Sequence, residues 1–328
     1  MKKILSFLLV TLLFVSCGTG TASKTTMKES VETSVVVPKF NADSAYNFVA
    51  AQVAFGPRVP NSAEHRACAD WLEAKLRSYG AEVVTQNVEL TAYTGARLNA
   101  RNIIAQFQPQ KRKRVLLCAH WDSRPWADAD PDPSNHRKPI LGANDGASGV
   151  GVLLEIARQL SLQPTEIGID IVLFDAEDYG THASEEATVD NSWALGSQYW
   201  ARIPHKQNYY ARYGILLDLV GAPGSRFYRE GISERYASPI IDKVWSRAAA
   251  LGYADTFINR EGGYVTDDHL YVNHYLNIPC IDIINHDTNS DNGFGPYWHT
   301  MKDNMDWISS ETLKMVGETV LAVIYNEK

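Results

Sequence analysis

The stretch IGIDIVLFDAEDYG, residues 167–180, joins a nearly continuous apolar run to two adjacent carboxylates, Glu177 and Asp178. A short run of β-branched and aliphatic residues is typical of a strand covered on both faces, because such a strand has no solvent side to fill with polar residues. The stretch therefore predicts a buried strand of an α/β protein, with two acids placed where the strand ends.

Other segments of the chain repeat this pattern of apolar runs between helical segments. The runs AEVVTQNVEL, RNIIAQF, VLLCAH, YGILLDLV and IPCIDII are also predicted to be strands. Apolar residues at helical spacing predict helices in SAEHRACADWLEAKLRSYG, ASGVGVLLEIARQL and SSETLKMVGETVLAVIY. Together they predict a three-layer α/β/α sandwich, with VLLCAH, IGIDIVLFDA, YGILLDLV and IPCIDII as central strands.

The charge of the chain argues against a nucleic-acid partner. Its 328 residues carry a formal net charge of -7, and the basic cluster KRKR at 111–114 directly precedes a predicted strand. We interpret this cluster as a solvated turn rather than a phosphate-binding patch. No nucleic-acid partner is expected.

The first 17 residues, MKKILSFLLVTLLFVSC, have the lysines, the short apolar run and the small residues of a secretory signal. Its end resembles a bacterial lipobox, which would place a lipid anchor on Cys17; a plain signal peptide cut nearby is the alternative. Residues 18–38 are rich in Thr and Ser and are predicted to form a flexible tether, and residues 39–328 a single catalytic α/β domain. We therefore expect an exported lipoprotein on a periplasm-facing membrane.

Carboxylate and imidazole side chains follow the predicted strands at several places along the chain. They are His120 and Asp122, Asp145, Glu177 and Asp178, Asp218, Asp267 to His269, and His299. Strand ends converge at one edge of such a sheet, where so many acids would repel one another unless a cation gathered them. One such acid alone predicts little, and Asp145 taken singly is more typical of a helix cap or a turn than of a metal ligand. Their joint placement predicts a divalent metal, and mixed Asp, Glu and His ligation is typical of catalytic zinc.

Five motifs give the chain a specific resemblance. AHWDS, GANDGASGV, FDAEDYG, LLDLVGA and YWHTMKDN, in this order, resemble the zinc aminopeptidase superfamily. Within it, VTDDH and FGPYWHTM make the chain similar to the zinc-dependent glutaminyl cyclases of animal type, here in a bacterial form. The resemblance implies an aminopeptidase-like α/β/α fold with a mixed central sheet and one catalytic zinc per chain.

The resemblance also implies the ligands of that zinc. They would be Asp145, Asp178 and His299, with Glu177 as the acid-base residue. Many relatives have Glu where this chain has Asp178, so the shorter side chain must be accommodated by a shift of the metal or the backbone.

Further roles carried over from the family concern the surroundings of Glu177. Asp218 and Asp267 would form a hydrogen-bonded acid network with it. Trp298, Phe294 and Trp193 would bind the substrate, although core packing is an equal alternative for Trp193.

The reaction implied is cyclisation of the N-terminal glutamine of peptides and proteins to pyroglutamate, with loss of ammonia. A two-zinc aminopeptidase is the alternative, because His120 and Asp218 would complete a second metal site. Asp267 and Trp298 favour the cyclase, since an added acid and an indole suit a small, dry, intramolecular reaction. A third hypothesis is a catalytically inactive peptide-binding lipoprotein.

Overall fold

The structure is a computed structural model that describes residues 35–290 and 292–328. The predicted signal peptide 1–17 with Cys17, and residues 18–34 of the predicted tether, lie outside the described residues. Val35 and Val37 pack against the core, so the folded body includes the last part of the segment predicted as tether. Within the described ranges, no helix is long and apolar enough to span a membrane.

The described part of the chain alternates helices and strands. The α-helices are α1 (Ala42–Val53), α2 (Ala63–Ser78), α3 (Ala147–Leu162), α4 (Leu195–Arg202), α5 (Gly231–Ala250), α6 (Asp268–Leu276) and α7 (Ser310–Tyr325). The strands are β1 (Glu82–Thr91), β2 (Arg97–Phe107), β3 (Arg114–His120), β4 (Gly168–Phe174), β5 (Gly214–Asp218), β6 (Phe227–Arg229), β7 (Phe257–Glu261) and β8 (Cys280–Ile284). All six predicted strands and all three predicted helices are present.

Six strands form the central sheet, in the order β1-β2-β4-β3-β5-β8. β2 runs antiparallel to β1 and β4, whereas β4, β3, β5 and β8 run parallel to one another. β6 and β7 form a separate parallel pair. The predicted mixed sheet is confirmed.

Helices cover both faces of this sheet, which confirms the three-layer sandwich. Along β3, Leu117 points into one core, which α1, α2, α3, α5 and α7 cover. Its neighbours Leu116 and Cys118 point into the other core, where they meet Trp200 of α4 and Val272 of α6. Because side chains alternate along a strand, an apolar run is needed to fill both cores.

The position of β8 differs from the prediction. Its sequence, IPCIDII, predicts a central strand, but β8 lies at one end of the sheet. All five of its residues are nevertheless buried, because α5 and α6 pack beside it and an isolated bridge joins Phe227 to Asn285 just beyond it. An apolar strand therefore indicates burial on both faces and does not by itself indicate a central place in the sheet.

The four parallel strands place their carboxyl ends at one edge of the sheet. β3 ends at His120, β5 ends at Asp218, and β4 is followed directly by the turn that carries Glu177 and Asp178. Loops converge at such an edge, which is where open α/β sheets bind ligands. The predicted site residues are brought together there.

Candidate metal centre

Asp145, Asp178 and His299 converge in the interior at this edge of the sheet. His299 Nε2 lies 3.6 Å from Asp145 Oδ2 and 3.3 Å from Asp178 Oδ1, and one donor atom from each residue lies within 4.8 Å of the others. Asp178 Oδ2 is buried and has no hydrogen-bond partner among the residues that the structure describes. Converging oxygen and nitrogen donors with an unpartnered carboxylate oxygen fit a divalent cation.

The electrostatics of these three residues also fit a cation. Burial raises the pKa of Asp178 to about 8, and burial together with the charge of Asp178 raises the pKa of Asp145. Burial and the nearby Arg124 hold the pKa of His299 well below its usual range, which keeps the imidazole in the neutral form that binds metals. A bound cation would place a positive charge beside the two carboxylates and so stabilise their ionised forms.

The turn after β4 presents Glu177 and Asp178 in different directions. Ala176 adopts a left-handed conformation with φ 53°, which ends the strand sharply. The carboxylate of Asp122 then accepts the N–H groups of Glu177 and Asp178, at 3.1 and 3.2 Å. The sequence shows Asp122 only as one more strand-end acid; its role in fixing this turn emerges from the fold.

Asp175 fixes the start of the same turn. Its carboxylate accepts the backbone N–H groups of Arg101, at 2.5 Å, and of Ala176, at 2.7 Å, and lies 2.9 Å from His65 Nε2. All three contacts are buried or partly buried, so strand β2 and helix α2 both position the turn.

Asp145 is positioned by its backbone and does not cap the following helix. The N-cap residue of α3 is Gly146, with φ 93° and no side-chain cap hydrogen bond. The carboxylate of Asp303 accepts the N–H groups of Asn144 and Asp145, at 2.7 and 3.0 Å. A Cβ atom at Gly146 would lie 2.5 Å from the carbonyl oxygen of Asp122, so glycine is required at this close approach. The carboxylate of Asp145 remains free to face the cluster.

His299 is held by aromatic rings and by a carboxylate that the sequence did not predict. The ring of Trp298 stacks on it at 3.5 Å between centroids, and the ring of Trp193 at 5.9 Å. Its Nδ1 atom lies 3.5 Å from Asp128 Oδ1, and Asp128 in turn is bonded to Arg124 Nε at 2.7 Å. A carboxylate behind a metal-binding histidine fixes the ring orientation and directs Nε2 to the metal.

Arg124 also reaches the other side of the cluster. It donates to the backbone oxygen of Asp178 at 3.1 Å, and its guanidinium lies 4.6 Å from the ring centre of Trp193. Arg124 and Asp128 both lie in the loop after β3, where a spacing of four residues does not predict a pair as it would on a helix, so their contact emerges only from the fold.

A second cluster shares Asp145 with the first. His120 Nε2 lies 3.1 Å from Asp145 Oδ1 and 3.2 Å from Asp218 Oδ1, and a donor atom from each lies within 4.8 Å of the others. Although burial opposes it, contacts with Asp122, Asp145 and Asp218 raise the pKa of His120 well above its usual value. A carboxylate shared between two clusters is the arrangement that a two-metal site needs.

Glu177 faces the cavity beside further buried acids. It is buried, and burial, together with the charges of Asp267 and Asp178, raises its pKa well above the usual value. Asp267 caps α6 by accepting the N–H of Asp268, and burial and Asp218 raise the pKa of Asp267 to about 6. The structure therefore brings Glu177, Asp218 and Asp267 into one electrostatically connected group. Among the described residues, however, no hydrogen bond joins the three side chains, and Asp267 Oδ2 is buried without a partner, so the predicted hydrogen-bonded network is not present.

These groups open into a cavity of about 360 Å³. Trp193, Phe294 and Trp298, the three predicted substrate-binding residues, all line it, together with exposed residues of two loops, among them Val189 and Tyr264. Its acids are Asp145, Glu177, Asp178, Asp190, Asp218 and Asp267. Within the described chain, no lysine or arginine lines this cavity.

The aromatic wall depends on a glycine. A Cβ atom at Gly180 would lie 2.0 Å from the indole of Trp193, so this ring packs directly against the backbone of the turn after β4. Trp193 thus packs against the turn on one side and lines the cavity on the other, while its role in substrate binding stays a prediction.

Comparison with known proteins places the chain among zinc enzymes of one family. The sequence model of Peptidase family M28 matches residues 102–324. A Zn-dependent exopeptidase from Parabacteroides distasonis ATCC 8503 is 59% identical, with a TM-score of 0.88, over 89% of this chain and 100% of that chain. The glutaminyl cyclase of Tannerella forsythia is 58% identical, with a TM-score of 0.88, over 89% and 100% of the two chains.

A curated relative with a different activity is also similar. Aminopeptidase YwaD of Bacillus subtilis (strain 168) is 29% identical over 262 residues, which are 76% of this chain and 50% of YwaD. This chain therefore spans about half the length of that relative, whereas it covers the two solved structures completely.

Proposed function

Because the chain belongs to Peptidase family M28, we propose that its buried site is that of a zinc-dependent glutaminyl cyclase. Such an enzyme converts the N-terminal glutamine of peptides and proteins to pyroglutamate and releases ammonia. One observation carries the proposal: Glu177 and the cluster of Asp145, Asp178 and His299 open into the same small, aromatic-walled cavity. The similarity to the Tannerella forsythia glutaminyl cyclase supports it.

The cavity suits the amino end of a peptide. Its size is at the lower end of the range for ligand pockets, which fits one side chain better than a length of chain. Its lining contains six acids and, among the described residues, no lysine or arginine, which favours an ammonium group over a carboxylate. The rings of Trp193, Phe294 and Trp298 line the cavity, and on closing around a substrate they would reduce the water at the reacting groups, which favours an intramolecular reaction over hydrolysis.

We propose one zinc per chain, held by Asp145, Asp178 and His299. When bound, zinc would polarise the carbonyl of the glutamine side-chain amide and stabilise the negative charge that develops on its oxygen. Asp128 and Asp303 orient His299 and Asp145 through the contacts described above, so that the donors are arranged before the ion arrives.

Glu177 is proposed to carry the proton. The α-amino nitrogen attacks the side-chain amide carbon, a nitrogen–carbon bond forms, and the carbon–nitrogen bond to the leaving amide nitrogen breaks. Glu177 accepts the proton from the attacking amine and returns it to the leaving nitrogen, which departs as ammonia. An α-amino group has a pKa of about 7.7 to 8.0, so a carboxylate in this setting is a sufficient base near neutral pH.

Asp218 and Asp267 would support Glu177 by sharing protons with it. Asp218 Oδ1 accepts the N–H of Leu219 at 2.8 Å and faces His120 Nε2, which fixes the direction of its carboxylate. Buried acids this strongly coupled titrate as a group. A proton can therefore pass between Glu177 and its neighbours within this group.

The test of the proposed function is product identity. Purified protein incubated with Gln-Ala-Ala-NH₂ should give the pyroglutamyl tripeptide and an equal amount of ammonia, measured by mass spectrometry and an ammonia assay. A chelator should abolish the reaction, and added zinc should restore it. Release of free N-terminal amino acid without pyroglutamyl product would overturn the proposal.

A two-zinc aminopeptidase is the second candidate, and the cluster of His120, Asp145 and Asp218 favours it. The similarity to YwaD and to the Zn-dependent exopeptidase is in keeping with this reading. Metal analysis separates the two, because the cyclase should hold about one zinc per chain and the aminopeptidase about two. The match covers the whole length of two solved structures whose names are those of enzymes. This weighs against the hypothesis of an inactive binding lipoprotein.

We further propose that the protein is exported and anchored through a lipid on Cys17. The support is the signal-like sequence of residues 1–17, which lie outside the described part of the chain. Expression in bacteria fed a labelled fatty acid should label the wild-type protein and leave the Cys17→Ser variant unlabelled. Label on both proteins, or on neither, would overturn the anchor.

A further inference from the structure

Tyr264 is an aromatic residue that lines the cavity and has no role in the proposed mechanism. Its side chain is 79% exposed, although it lines the same cavity as Glu177. Val189, which is 45% exposed, lines the cavity as well. Exposed apolar side chains at a binding site leave their surface available to a ligand.

The backbone on both sides of Tyr264 is fixed. The carbonyl of Gly263 accepts the N–H of Gly231 at 2.9 Å, and the N–H of Val265 donates to Glu230 Oε1 at 3.0 Å. The side chain of Glu230 also caps α5, so the segment is tied to the start of that helix.

The ring itself rests on a glycine. A Cβ atom at Gly231 would lie 2.6 Å from Tyr264 Cε1 and 2.7 Å from Cδ1 and Cζ, so one part of the ring is in direct contact with the backbone at the start of α5. The remaining surface is open. A ring that is held in place but uncovered can bind a ligand group with little loss of conformational entropy.

The chemistry of cyclisation decides which ligand group reaches this ring, and this step rests on the proposed function. Both reacting groups belong to the first residue of the peptide. The rest of the peptide is attached at the backbone carbonyl of that residue and extends from there out of the cavity. In an extended peptide the second residue lies about 3.3 to 3.6 Å further along the chain than the first. Its side chain must therefore lie where the cavity meets solvent, beside exposed lining residues.

We propose that Tyr264, together with Val189, selects substrates in which an aromatic or large aliphatic residue follows the N-terminal glutamine. Tyr264 is thus a specificity residue for the second position of the substrate. Aromatic contacts of this kind discriminate by about two- to tenfold in an equilibrium or rate ratio.

The experiment compares Gln-Phe-Ala-NH₂ with Gln-Ala-Ala-NH₂ as substrates of the zinc-loaded protein. Wild type should turn over the Phe peptide with a kcat/KM about two- to tenfold higher, mostly through KM. Tyr264→Ala should bring this ratio close to one, and Tyr264→Phe should retain it. Tyr210→Ala is the matched control, because Tyr210 is 61% exposed and does not line the cavity, and it should leave the ratio as in wild type.

A second variant tests the support of the ring without removing it. Gly231→Ala places a methyl group against Tyr264 and should displace the ring, which lowers the ratio while the cavity lining keeps its composition. An unchanged ratio in Tyr264→Ala, or equal turnover of both peptides by wild type, would overturn this inference alone. Absence of pyroglutamyl product from both peptides would overturn the proposed function and the inference with it.

Discussion

Glu177 and Asp178 are neighbours in the chain but have different surroundings. Asp178 faces His299 and Asp145, whereas Glu177 faces Asp267 across the cavity. The turn that separates them is held by Asp122 and Asp175, so their directions are properties of the backbone. The proposed function therefore assigns two different roles to these adjacent carboxylates, metal binding to Asp178 and proton transfer to Glu177.

The first prediction concerns Glu177. Glu177→Gln keeps the size of the side chain and removes the base, so turnover should fall by about 10²- to 10⁴-fold while zinc content is unchanged. Activity and metal analysis on the same sample measure both. Glu186→Gln, in an exposed loop, is the control and should match wild type. Loss of zinc in Glu177→Gln would mean that the roles of Glu177 and Asp178 are reversed.

At the scale of elements, the loops of the site are fixed by buried carboxylates that accept backbone N–H groups. Asp122, Asp175 and Asp303 each accept two. An unpaired buried N–H group costs about 1 to 3 kcal/mol, so these acids stabilise the loops strongly although none of them is in the predicted metal cluster.

The second prediction tests this with Asp122→Ala. Two N–H groups lose their acceptor, so the free energy of unfolding should fall by about 2 to 6 kcal/mol, with activity reduced because the turn is no longer fixed. Urea denaturation measures the change. Asp255→Ala, at an exposed position, should change stability by less than about 0.5 kcal/mol. A stability equal to wild type in Asp122→Ala would show that the turn does not depend on this carboxylate.

The third prediction concerns the segment that precedes α1. Phe40 is 2% exposed and lies against Gly317 of α7, where a Cβ atom would be 2.1 Å from its ring. Phe40→Ala should lower the free energy of unfolding by about 3 to 5 kcal/mol. Val36→Ala, at a residue that is 72% exposed, is the control from the same segment. Equal stability of the two variants would contradict a structural role for this segment.

At the scale of the whole molecule, the site gathers carboxylates from distant parts of the chain into one buried volume. When the protein folds without a metal ion, these carboxylates repel one another. A bound cation reduces this repulsion. Metal binding is accordingly expected to contribute to the stability of the whole domain, because the unfolded chain offers no such site.

The fourth prediction is a pH dependence of the metal-free protein. Burial raises the pKa of Asp178 to about 8 and contributes to raising that of Asp267 to about 6, whereas unfolded Asp titrates near ~3.9. Between these values the folded state holds protons that the unfolded state releases, so the stability of the chelated protein should fall as the pH rises from about 4 to about 8. Melting temperatures measured across this range check the direction.

Two comparisons make this pH test specific. The zinc-loaded protein should lose less stability over the same range, since zinc replaces the protons as counter-charge. Asp178→Asn, which does not titrate, should show a shallower slope than wild type when both are chelated. A melting temperature of the chelated wild type that rises with pH would contradict the prediction.

Much of the fold could be read from patterns that are local in sequence. The runs around Leu117, Val172 and Leu216 predicted buried strands correctly, because burial on two faces leaves an uninterrupted apolar sequence. The same argument placed β8 wrongly in the middle of the sheet, because helices and a bridge bury an edge strand equally well. Strand order depends on long-range pairing, which has no local signature.

The family resemblance was also available from the sequence, and it is confirmed by the match to Peptidase family M28 and by the similar glutaminyl cyclase structure. Motifs such as GANDGASGV and FDAEDYG carried this resemblance because they place acids of the kind that bind zinc after predicted strands. The individual roles of Asp145, Asp178, His299 and Glu177, and the count of one zinc, stay predictions for the experiments above.

The sequence by itself determined the sandwich, the family and the set of acids and histidines at the strand ends. Periodicity and residue type are properties of short stretches of sequence, so they can be recognised without the fold. The tertiary structure alone decided how these side chains are held and what surrounds them. It placed Asp128 behind His299, Arg124 against Trp193, and Tyr264 uncovered at the cavity. The physical reason is that each such contact joins residues distant in the chain, and its geometry exists only once the sheet and the loops have folded around it.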